Sequence, residues 1–238
     1  EYYNKCLNIH LALVGENHLD TSLAYLNLGL LQKSQSNYDK ALEYLLKAYQ
    51  IRSSILGESH LATMTCKNKI GNLYEELGRY QEAMKLYQEV LKVREQTLGE
   101  FHPDVAKTLS DIAEIYHIKG KNAKALEYHQ KALQIRKKVF GDIHIDIAAS
   151  YNNIANIYGD LENYDTALKY YQISLDIKLK IYGPQHTSVA SAYGNIANIY
   201  SEIGRSDEAL ESYFKALDIR LKLLGPEHIE IGRASCRE

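Results

Sequence analysis

Residues 151–183 read YNNIANIYGDLENYDTALKYYQISLDIKLKIYG, and residues 193–225 read YGNIANIYSEIGRSDEALESYFKALDIRLKLLG. The two stretches start at Tyr151 and Tyr193, 42 positions apart. Glycines recur at the same step: Gly15, Gly57, Gly99, Gly141, Gly183 and Gly225. Three residues after each comes a histidine: His18, His60, His102, His144, His186 and His228. A fixed period of roughly 20–50 residues marks a stack of one supersecondary unit, in which each copy buries its apolar face against its neighbours. The repeat therefore decides the fold class, and length adds little.

Working outward, residues 1–14 match the second half of a repeat, because Tyr2 and Tyr3 precede Tyr44 and Leu45 by 42. Five two-helix units follow, at about 20–56, 62–98, 104–140, 146–182 and 188–224, with a partial start at 230–231. The expected domain is one array over 1–231; residues 232–238 leave the pattern and read as a non-native tail. Opening in mid-repeat on Glu1 rather than Met, the chain reads as cut at both ends.

Within a unit, helix A carries apolar residues at helical spacing: Ile147, Tyr151, Ile154, Ala155, Tyr158 and Leu161 in the fourth copy. One slot is always small, Gly29, Gly71, Ala113, Ala155 and Ala197, which lets a partner helix approach closely. Helix B has its own small slot at Ala41, Ala83, Ala125, Ala167 and Ala209. Asp20, Asp104, Asp146 and Ser188 are expected N-caps of helix A, Ala62 leaves the second copy poorly capped, and Pro103 falls outside its helix. Arg52, Arg94, Arg136, Lys178 and Arg220 suit the negative end of helix B's dipole, and the periodic glycine suits a left-handed C-cap.

Composition excludes several classes. A net charge of −2 provides no basic field for nucleic acid or an anionic membrane, and no apolar run reaches the ~20 residues of a membrane span. Cys6, Cys66 and Cys236 share no repeat position and no CxxC spacing, so reduced cytoplasmic thiols are expected, with Cys66 in a small core slot. No P-loop, G-x-G-x-x-G, G-x-S-x-G or HExxH motif is present, and no catalytic residue, metal or cofactor is assigned. The periodic histidines sit one per unit, too far apart to converge on one ion, and read as hydrogen-bonding residues of the inter-repeat turn. His117 near Asp111 and Glu114 reads as a solvated charge cluster.

The set Tyr193, Ile196-Ala197, Tyr200 and Ala209, matched by Tyr151, Ile154-Ala155, Tyr158 and Ala167, resembles the tetratricopeptide repeat. The second copy has Lys67 in place of the first aromatic but keeps Ile70-Gly71, Tyr74, Tyr80 and Ala83. A 42-residue period and the junction Gly99-Glu-Phe-His102-Pro103-Asp-Val105-Ala106 resemble the narrower kinesin light chain subtype. That resemblance implies an all-α, right-handed superhelix (an α-solenoid) whose helices A line a concave face. It also implies a non-enzymatic, cytoplasmic scaffold or cargo adaptor, with a protein or peptide ligand, or kinesin heavy chain or cargo in the full-length context. A regulatory or sensor arm of a larger enzyme, or of a nucleotide-dependent switch, is the other reading.

Counting from the small slot of helix A, positions −3, −2 and +1 would border that face. They collect asparagines, poor helix-interior residues that compete for backbone hydrogen bonds. The expected peptide-binding residues are Asn68, Lys69, Asn72, Asn152, Asn156, Asn195 and Asn198, with Asn72, Asn156 and Asn198 sharing one slot. A carboxamide offers donor and acceptor together and can clamp an extended backbone; it can equally bond neighbouring repeats to one another. Charge along helices A is mixed: Lys33, Lys69 and Lys107 against Glu75, Glu76, Asp111, Glu114, Asp160 and Glu202. An acidic ligand motif is therefore not implied.

Overall fold

The computed structural model describes residues 2–225, among which there are eleven α-helices and no strand. The first compact unit, ending at Lys119, holds α1 (Tyr2–Leu13), α2 (Leu19–Ser34), α3 (Tyr38–Leu56), α4 (Leu61–Glu76), α5 (Tyr80–Leu98) and α6 (Pro103–Ile118). The second unit, starting at Gly120, holds α7 (Asn122–Phe140), α8 (Ile145–Asp160), α9 (Tyr164–Tyr182), α10 (Thr187–Glu202) and α11 (Ser206–Leu224). A 16-residue helix A, a three-residue turn, a 19-residue helix B and a four-residue G-x-x-H junction account for the 42-residue period. The fold is all-α, built from consecutive helix pairs. The partial start at 230–231 and the tail 232–238 lie outside the described residues.

Both small slots are buried where helix A meets helix B. Ala41, Ala83, Ala155 and Ala167 have no exposed surface. In the first unit Leu28, Leu45, Ile70 and Leu73 fill the space around them; in the second, Leu175, Val189, Ala190 and Ile196 do. Glycine at the helix A slot answers a bulky partner. A Cβ on Gly29 would lie 2.8 Å from Leu45 Cγ, and one on Gly71 2.6 Å from Tyr87 Cε1.

Capping departs from the sequence expectation. The N-cap of helix A is the periodic histidine, whose Nδ1 accepts the backbone N–H two residues on, at Asp20, Ala62, Asp104, Asp146 and Ser188. The second copy is thus capped like the others, its His60–Ala62 bond measuring 3.1 Å. Pro103 is the first helical residue, where its missing N–H would have had no intrahelical partner. Stacking on the preceding helix holds two of the imidazoles: Phe140 on His144 at 4.0 Å and Tyr182 on His186 at 4.1 Å.

The left-handed cap sits at the other end of the pair. Helix A closes in a Schellman motif: Gly78 N–H donates to Glu75 O and Arg79 N–H to Tyr74 O, with matching bonds after α2, α8 and α10. The residue at positive φ is Gly78 or Gly204, but Ser36 (φ 60°) and Glu162 (φ 57°) in the other two. The glycine ending helix B has φ near +80° with extended ψ, as at Gly99 (82°, 159°), a region essentially restricted to glycine.

Candidate functional site

The asparagine slot of helix A faces one position on helix B of the same repeat, four residues beyond the small alanine. Asn72 Nδ2 donates to Tyr87 Oη (2.8 Å), Tyr171 Oη donates to Asn156 Oδ1 (2.6 Å), and Tyr213 Oη donates to Asn198 Oδ1 (2.6 Å). In the first repeat the same two positions are Leu30 and Leu45. Carboxamide goes with phenol and Leu with Leu: the buried hydroxyls of Tyr87 and Tyr171 need a partner, which an isobutyl group cannot offer, and exposed Tyr213 keeps the same pairing. This pairing was present in the sequence as a matched substitution but needed the helix register to be seen.

The two units use the pair differently. In the first, Tyr87 is fully buried and donates on to Glu75 Oε2 (2.7 Å), so its remaining lone pair accepts from Asn72. Burial raises the Glu75 carboxyl to about 7, with the Asp111 and Glu114 charges pushing the same way. In the second unit each tyrosine donates to the asparagine, which leaves the carboxamide NH2 of Asn156 and Asn198 facing outward from exposed residues.

Asn68 is 3% exposed. Its Oδ1 accepts from Arg94 Nη1 (2.9 Å), and its Nδ2 donates to Asp111 Oδ2 (2.8 Å). Arg94 also reaches Thr108 Oγ1 (2.6 Å) and Asp104 O (3.1 Å) on α6, so α4, α5 and α6 are joined through one guanidinium. Lys69, next to Asn68, is half-buried and makes no ion pair among the described residues; burial together with Lys107 lowers its pKa. In the second unit Asn195 Nδ2 donates to Asn152 Oδ1 (2.8 Å), bonding α10 to α8. Asn68, Asn152 and Asn195 thus make contacts between repeats, while Asn72, Asn156 and Asn198 are anchored within their own repeat.

The basic residues of helix B have a role that dipole reasoning missed. Arg52 donates through Nε to Ser22 Oγ (3.0 Å) and through Nη1 to Ala62 O (3.1 Å); Arg136 donates to Ser150 Oγ (2.5 Å). They are nine-tenths buried, and each reaches forward to the next helix A, while Arg52 also reaches back to helix A of its own repeat. The signal available in sequence was the pairing of a periodic Arg with a small polar residue in the slot of Thr108 and Ser150.

Asn156 and Asn198 line a cleft of about 430 Å³ between α8 and α10, together with Gly159, Asp160, Tyr164, Tyr171 and Glu202. A larger hollow of about 580 Å³ beside Glu16, Asn17, Lys47 and Gln50 lies away from the asparagine slots. Among the described residues no helix is long and apolar enough to cross a membrane, and no three His, Cys, Asp or Glu side chains cluster as a metal site would need.

Short helix pairs with a small-residue seam, stacked through buried arginines and presenting a polar helix A face, define a helical-repeat protein. The chain belongs to the tetratricopeptide repeat family, whose profile matches residues 1–54, 33–96, 63–138 and 146–222. No curated protein matches it in sequence. Among solved structures it is similar to BtubC (BKLC) of P. vanneervenii, 19% identical over 94% of this chain and 90% of that one, TM-score 0.77. It is also similar to the nearly identical kinesin light chain TPR-like repeats of Podosopora anserina (21% identity, 87% and 98% coverage, TM-score 0.69). A third is the Rap conjugation gene regulator of plasmid pLS20 in complex with the Phr* peptide (17% identity, 86% and 55% coverage, TM-score 0.71). At these identities the likeness is one of fold.

Proposed function

We propose that the chain is a non-enzymatic protein-interaction scaffold of the cytosol, one array over residues 1–231 that holds an extended peptide along its helices A. The observation that carries this reading is the anchored carboxamide: Asn156 and Asn198, one repeat apart, flank one cleft with their NH2 groups presented outward. Such groups donate to ligand carbonyls without requiring a side-chain sequence, and the tyrosine bonds fix their orientation before binding. The kinesin-light-chain-like cargo adaptor is the specific form proposed, supported by the 42-residue repeat. The Rap regulator, similar in fold and solved in complex with a peptide, adds support to the peptide reading.

The test is a display selection of random peptides on the whole chain, with every hit re-measured on Asn72→Ala/Asn156→Ala/Asn198→Ala. Tyr171→Phe/Tyr213→Phe, which frees the carboxamides while leaving them in place, provides the intermediate case. Hits lost on the triple variant and weakened on the phenylalanine variant support the groove. Hits indifferent to both would sink it and favour a regulatory arm that acts through another surface.

A further inference from the structure

The last residue of helix A is a carboxylate in three repeats: Glu76, Asp160 and Glu202. In the first unit Glu76 is neutralised from within, since Lys33 of the preceding helix A places Nζ 2.7 Å from Glu76 Oε1. Lys33 stands four residues beyond the small slot of α2. The corresponding position before Glu202 is Gly159, which has no side chain to offer. Glu202 accordingly makes no ion pair among the described residues, and the space where an ammonium would sit belongs to the cleft of about 430 Å³. None of the side chains lining that cleft is a cation, while Asp160, Glu162 and Glu202 all contribute carboxylates to it.

We propose that this cleft takes a Lys or Arg side chain of an extended peptide, its charge against Glu202 in the place that Lys33 occupies against Glu76. The inference rests on the peptide reading above and adds the ligand's chemistry. The two asparagines hold the backbone, and Tyr164 and Tyr171 form the side walls along which the aliphatic stem of Lys or Arg lies. A half-exposed ion pair discriminates modestly. The preference for Arg over Ala at that ligand position should be about fivefold, reversed for Asp, and should shrink as salt is raised.

The experiment is a positional-scanning library of acetylated, amidated octapeptides, with one position fixed as Arg, Lys, Ala or Asp, titrated against the whole chain by fluorescence anisotropy. One position should favour Arg and Lys and disfavour Asp. Glu202→Gln should level that position, bringing the Arg-, Lys- and Ala-fixed pools to similar affinity. Gly159→Lys, which supplies the missing internal cation, should do the same, and a Cβ there meets only Ile199 Cδ1 at 3.2 Å. An Asp-favouring position, or an Arg preference that survives both variants, overturns the proposal while the peptide groove stands. If no pool binds, or if binding ignores Asn156→Ala/Asn198→Ala, the groove reading fails and the inference falls with it.

Discussion

Gly71→Ala should destabilise this protein, although the same change at another helical glycine should stabilise it. Alanine gains ~1 kcal/mol over glycine within a helix. At Gly71 the added methyl would lie 2.6 Å from Tyr87 Cε1, 3.0 Å from Cδ1 and 3.3 Å from Cζ. Carbon atoms in contact sit ~3.5–4.0 Å apart, so the ring must retreat by roughly 1 Å. It has little freedom to do so, because Tyr87 is fully buried and its hydroxyl is bonded to both Glu75 and Asn72. Overpacking of this kind costs ~1–3 kcal/mol, which after the propensity gain leaves a net loss of up to about 2 kcal/mol. A methyl added at Gly194 would meet nothing within 4 Å, so Gly194→Ala should gain the full propensity difference, about 1 kcal/mol. Urea titrations followed by helical ellipticity would read both as midpoint shifts of opposite sign. The Tyr87→Ala background supplies the internal control: there Gly71→Ala should become stabilising, a coupling of about 1–3 kcal/mol. Shifts of the same sign at Gly71 and Gly194, or no coupling to Tyr87, would refute the argument that this ring sets the slot.

Three further outcomes are expected. Glu162→Gly should raise stability by about 1 kcal/mol, because a glutamate holds the left-handed position that Gly78 and Gly204 fill elsewhere; thermal melts decide it. His60→Ala should cost about 1 kcal/mol by removing the cap on Ala62 N–H, and His60→Asn should recover most of it, both read by chemical denaturation. Glu75 titrates near 7 when folded, above its ordinary 4.5, so the folded state holds the extra proton between those values and stability falls as pH rises through that window. Unscreened, that shift is worth ~3 kcal/mol; partial exposure reduces it to about 1–2. Unfolding free energies at pH 5 and 8 should therefore differ less for Glu75→Gln than for the parent.

How far the sequence reaches is visible at particular residues. The 42-residue step, the two small slots and the burial of Cys66 followed from spacing and volume alone, since periodicity reports which residues share a face. The caps did not. Asp20, Asp104 and Asp146 look like better caps than histidine by propensity, and only the helix start two residues earlier hands that role to the imidazole. Arg94 looked like a dipole residue because its local partner is the end of its own helix; its actual partners, Asn68, Thr108 and Asp104, come from two other helices.

The asparagines mark the same boundary. Sequence alone placed Asn68, Asn72, Asn152, Asn156, Asn195 and Asn198 on one face of helix A, because a helix fixes angular position at 3.6 residues per turn. It could not divide them, since every one offers the same donor and acceptor. Tertiary structure did so by proximity: Arg94 lies against Asn68, Asn152 meets Asn195, and the phenols of Tyr171 and Tyr213 reach Asn156 and Asn198. Local pattern fixes which way a side chain points. What it meets there depends on helices packed from elsewhere in the chain, and that decides whether its hydrogen bonds are used inside the protein or presented to a ligand.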